Sequence, residues 1–106
     1  MYRKSRWDTQ ARGPMTESAV RAIHKAPERA RVSAYTYKAG DELEGTSKRC
    51  TGYVLKGRLT FAANEGVTVF EAGDVFLFSG GDYLLTINEL AAAVVVWAWE
   101  LPQQSH

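Results

Sequence analysis

From Val32 onward the chain is cut into short segments rich in β-branched and aromatic residues, and nearly every cut carries a glycine. The segments at 32–38, 53–55, 58–62, 67–70, 75–78, 83–88 and 92–100 read as strands. Apolar residues recur in them with a period of two or in short unbroken runs. The separators are turn chemistry: Ala39-Gly40-Asp41, Lys56-Gly57, Asn64-Glu65-Gly66, Ala72-Gly73-Asp74 and Ser79-Gly80-Gly81-Asp82. Strands this short, with no convincing amphipathic helix between them, predict an all-β antiparallel sandwich or barrel.

The first eighteen residues are polar and aperiodic, which predicts an N-terminal arm over 1–18 and a single β-barrel domain over 19–106. Residues 19–23 suit a short strand, with a weak helix ended by Pro27 as the alternative. The closing strand carries Val95, Trp97 and Trp99 on one face and Val94, Val96 and Ala98 on the other. Both faces are apolar, so both must be covered. One suits the barrel interior; the other needs a second layer or a second subunit, which predicts a homodimer.

Composition excludes several classes. At 106 residues, 45% hydrophobic and 24% charged, the chain is sized for one globular domain and is not a disordered sequence. A net charge of +1 predicts no nucleic-acid partner. Through Arg31 the chain carries eight basic residues against three acidic ones, which fits either an anionic partner or a solvated arm or edge strand. Cys50 is the sole cysteine, so no intramolecular disulfide can form. With no apolar segment behind the opening positive charges, a cytoplasmic protein is expected. The longest apolar run, 90–99, is far shorter than the roughly 20 residues of a membrane helix, so no membrane partner is expected.

The stretch from Gly40 to Asn88 resembles the paired motifs of the cupin superfamily. Gly40, a polar loop and Tyr53-Val54-Leu55-Lys56-Gly57 are similar to the first motif. Gly66, a strand, Ala72-Gly73-Asp74-Val75, the turn Ser79-Gly80-Gly81 and Asn88 are similar to the second. The resemblance covers about half of the chain. It implies a cupin-like antiparallel β-barrel, or jelly roll (double-stranded β-helix), and no particular activity.

Metal-binding cupins place two histidines and a glutamate in the first motif and a third histidine in the second. Counting from the glycines, the resemblance puts the first pair at Glu44 and Thr46, or one residue earlier, and the glutamate position at Cys50. The last histidine position falls at Leu84, or at Tyr83 if the turn is shifted. No histidine stands at any of them; His24 and His106 lie outside both motifs. Because imidazole is the usual donor for catalytic transition metals, no metal and no cofactor is expected. The tentative ligand pocket is Glu44, Thr46, Cys50, Tyr83 and Leu84, rimmed by a loop over 41–49.

Cys50 reads as a buried, inert thiol, against a reactive thiol activated by Lys48 and Arg49. His24 reads as a surface or edge residue, against a general base steered by Asp74 or Asp82 with a tyrosine opposite. Phe61, Phe70, Phe76, Phe78, Trp97 and Trp99 read as core, against the lining of a pocket for a ring-bearing ligand. The leading expectation is metal-independent binding of a small organic molecule. The alternatives are an isomerase, cyclase or lyase using Glu44, Cys50 and Tyr83, and a protein-interaction module.

Overall fold

A computed structural model describes residues 2–24, 30–64 and 66–100. The strands are β1 (Tyr2–Arg6), β2 (Ala30–Tyr37), β3 (Glu42–Ser47), β4 (Cys50–Lys56), β5 (Arg58–Ala63), β6 (Gly66–Glu71), β7 (Asp74–Phe78), β8 (Gly81–Ile87) and β9 (Ala93–Glu100). Two short helices, α1 (Thr9–Arg12) and α2 (Glu17–Ile23), lie between β1 and β2. The strands form a five-stranded sheet in the order β1-β7-β4-β9-β2 and a four-stranded sheet in the order β3-β8-β5-β6. Every pairing is antiparallel, as the turn-punctuated sequence requires.

The inner faces enclose a core in which Phe70 stacks on Phe76 at 4.2 Å, while Phe61 lies 5.3 Å from Phe76 and 5.1 Å from Phe78. These four rings are fully buried, so they carry much of the burial that holds the sheets together. The two closing turns also brace each other: Gly73 N–H donates to Val54 O and Ala72 N–H to Gly57 O. The halves of the motif pair, distant in sequence, are thus one contact in space.

A second core lies on the outer face of the five-stranded sheet. Val96 and Ala98 of β9 pack there with Tyr53, Val20 of α2 and Trp7. The cover for the second apolar face of β9 therefore comes from the same chain. Trp7 is pinned by its indole N–H on Gly13 O and by its backbone N–H on Gly73 O.

Two local expectations change. Residues 19–23 belong to helix α2, not to a strand: Thr16 caps it by accepting from Ala19 N–H, and Glu17 pairs with Arg21 one turn on. The boundary drawn at residue 18 falls inside this helix, and Pro27 lies outside the described residues. The loop expected over 41–49 contains β3, which pairs with β8 from Glu42↔Thr86 to Ser47↔Gly81. Its residues, Glu-Leu-Glu-Gly-Thr-Ser, carry little strand signal of their own; the partner strand supplies the order. Among the described residues no helix is long and apolar enough to cross a membrane.

Candidate functional site

A cavity of about 230 Å³ opens between the sheets where β2, β3, β8 and β9 meet. Phe61, Phe78, Leu85 and Cys50 form its buried floor. Trp97 and Trp99, near-parallel at 6.3 Å, come from one sheet; Tyr83, stacked on Phe61 at 5.6 Å, comes from the other. Tyr35 and Leu43 stand at the mouth, 44% and 37% exposed. The polar groups are hydroxyls and one thiol. Trp97 Nε1–H donates to Tyr37 Oη at 2.9 Å, and Trp99 Nε1–H donates to Ser47 Oγ at 3.3 Å. Ser47 Oγ–H in turn donates to Lys48 O and lies 3.8 Å from Cys50 Sγ.

Among the described residues no charged side chain lines this space. Burial pushes the Tyr37 phenol up to about 12, so it is a proton donor throughout the physiological range. Burial also pushes the Cys50 thiol up, partly opposed by the neighbouring Ser47 hydroxyl. The thiol therefore stays protonated and unreactive at neutral pH.

Comparison with known proteins adds the fold. No family model matches the chain, and no curated protein matches it. Solved structures do. The Clostridium difficile EutQ protein aligns with a TM-score of 0.60 at 16% identity, over 76% of this chain and 61% of that one. The Schizosaccharomyces pombe Cnp3 cupin domain aligns at 0.59 and 16% identity, over 66% and 54%. A cupin superfamily protein from Desulfitobacterium hafniense aligns at 0.61 and 8% identity, over 96% and 79%. The fold is the cupin fold. The chain spans less than two thirds of the EutQ and Cnp3 chains, and identities this low carry the fold alone.

Within this cupin barrel the five residues expected at one pocket are divided. Cys50 and Tyr83 line the cavity. Glu44, Thr46 and Leu84 face the opposite way, onto a shallow groove on the outside of the four-stranded sheet, where Thr46 Oγ1–H donates to Asp82. The pairings show why: Leu43↔Leu85 and Gly45↔Tyr83 point inward, and Glu44↔Leu84 and Thr46↔Asp82 point outward. A strand alternates faces at every residue, so the register one residue earlier exchanges the whole set. Glu44, Cys50 and Tyr83 accordingly do not converge as an acid–base group. The sequence signal that separates the two registers is Leu43, an apolar residue flanked by two glutamates.

The inward positions of the two motifs are thus Leu43, Gly45, Cys50 and Tyr83. They do not fit a metal. One protonated thiol is the only strong donor among them, whereas transition-metal sites need about three deprotonated or imidazole ligands. A Cβ at Gly45 would lie 3.2 Å from Tyr83 Oη, so the tyrosine already occupies the space into which a side chain at 45 would project. Among the described residues no three His, Cys, Asp or Glu side chains come together.

His24 sits on the far side of the five-stranded sheet from the cavity. Its Nε2 is 2.8 Å from Tyr53 Oη, beside Trp7 and at the C-terminus of α2. The acids considered as its partners are engaged elsewhere, Asp74 with Arg6 and Asp82 with Thr46. Its place is structural, holding α2 to the sheet. Burial lowers its pKa, so the unfolded chain takes up the proton first as pH falls. Stability contributed by neutral His24 is fully present above its ordinary value near 6.5 and declines as pH drops through that value toward the lowered native one. Urea unfolding from pH 8 to pH 5 should show this decline, and H24Q should flatten it; an unchanged slope in the variant would disprove the assignment.

Proposed function

We propose that this chain is a metal-independent cupin that binds a small, uncharged organic molecule in the cavity between its sheets. It acts as a binding or sensing module. The observation that carries the reading is the cavity lining: aromatic walls, hydroxyls, a protonated thiol and, among the described residues, no charged side chain. An apolar cavity of about 150 Å³ accepts benzene. At about 230 Å³ this one has room for a substituted ring. Ionisable groups that would make the site catalytic do not converge there, and this supports binding over chemistry.

The test uses toluene and ¹⁵N-labelled protein treated with a chelator. Toluene should shift the indole N–H resonances of Trp97 and Trp99 saturably and leave Trp7, on the other side of the sheet, unmoved. L43F, which narrows the mouth, should weaken the effect. Resonances that stay still up to the solubility limit, or that move only after a divalent metal is added, would refute the reading.

A further inference from the structure

The cavity has hydrogen-bond donors to spare. Tyr35, Tyr37 and Tyr83 bring three phenols to it. The Tyr37 oxygen already accepts from the Trp97 indole, so its own hydrogen is the group left to offer. Among the described residues none of the three phenol hydrogens finds a protein acceptor at hydrogen-bond distance. Ser47 Oγ is already engaged, taking the Trp99 indole N–H and giving its hydrogen to Lys48 O. Among the described residues no acidic or amide side chain lines the space.

Shape adds a second constraint. The near-parallel pairs Trp97/Trp99 and Phe61/Tyr83 come from opposite sheets, so the gap between them is bounded by aromatic rings on both sides. A flat ring recovers dispersion and offset-stacking contacts there. An anion entering would lose its hydration with no cationic side chain among the described lining residues to replace it.

Resting on the ligand-binding reading above, we infer that the ligand is a planar, uncharged ring compound bearing an accepting oxygen, of the aryl ketone, aldehyde or lactone class. Its oxygen accepts hydrogen bonds from the Tyr37 and Tyr83 phenols while its ring enters between the aromatic layers. A carbonyl compound satisfies the free donors; the same skeleton without oxygen leaves them bare.

The experiment compares four one-ring probes of similar size by following the Trp97 indole resonance: acetophenone, ethylbenzene, benzoate and benzyltrimethylammonium. This N–H is bonded to Tyr37 Oη and so reports on that phenol directly. Acetophenone should bind about tenfold more tightly than ethylbenzene. Y83F, which removes one free phenol and keeps the Trp97–Tyr37 hydrogen bond, should cut that preference several-fold, with the Trp7 resonance as the check that the fold persists. Equal binding of acetophenone and ethylbenzene would overturn the inference and leave the cavity reading standing. Tighter binding of benzoate or of the ammonium probe would do the same. Failure of all four to bind would overturn both.

Discussion

Gly57→Ala should destabilise the protein by about 3 kcal/mol or more, the largest loss expected from a single added methyl group. Two effects combine. Gly57 has φ of +85°, in the left-handed region that costs a side-chain-bearing residue about 1–2 kcal/mol. A Cβ there would also lie 2.4 Å from Ala92 O and 2.8 Å from Ala93 Cα. Both are backbone atoms at the start of β9, which is paired along β4, so neither can swing aside as a side-chain tip would. Gly40→Ala is the control. Its φ is +80°, yet nothing lies within 4 Å of the added Cβ, so it carries the dihedral cost alone. Urea denaturation of both variants separates the terms. Equal losses would mean that the close approach at Gly57 is relieved by a shift of β9.

Asp74→Ala should cost about 2–4 kcal/mol, the second-largest loss. Asp74 is 1% exposed, and its oxygens accept from Glu71 N–H at 2.8 Å and from Arg6 Nη1–H at 2.9 Å, with Lys4 Nζ at 3.6 Å. The cations are 63% and 43% exposed, so water screens them and their share is small. Most of the loss comes from orphaning Glu71 N–H in the β6–β7 turn and from emptying a buried polar site. Arg6 and Lys4 also belong to β1, the edge strand of its sheet among the described residues, so the variant should loosen the sheet edge first. Trypsin should cleave within β1 faster in the variant than in the wild type. D74N, which keeps one carbonyl acceptor for Glu71 N–H, should fall between the two. A D74A protein within about 0.5 kcal/mol of wild type would show that the carboxylate is not an anchor.

Both residues were visible in the sequence, Gly57 closing the first motif and Asp74 opening the second. Their roles were visible only in part. A glycine after Lys56 signals a turn, but its need for space against Ala92 depends on β9 arriving there from 35 residues further on. Asp74 looks like turn chemistry, whereas its partners Lys4 and Arg6 come from the N-terminal segment. The candidate site divides in the same way. The absence of histidine from both motifs could be read directly, but the six aromatic residues read as core. Only the fold separates Phe61, Phe78, Trp97 and Trp99, which wall the cavity, from Phe70 and Phe76, which do not. Leu43 and Ser47 lie in the segment 41–49 expected to rim the pocket, whereas Tyr35 and Tyr37 line it without a local signal, and Glu44, Thr46 and Leu84 face away from it.

Local chemistry determined the antiparallel β class, the turn positions and the double apolar character of β9. Strand period and glycine turns are properties of a few adjacent residues, so they survive without knowledge of the partner. Tertiary structure alone decided which residues of β3 and β8 point inward, because a register is a relation between segments about 40 residues apart and one step reverses every side chain. It also decided what covers the outer face of β9. Val96 and Ala98 demand apolar cover, and it is the docking of Trp7 and Val20 that brings the chain's own N-terminal helix to them.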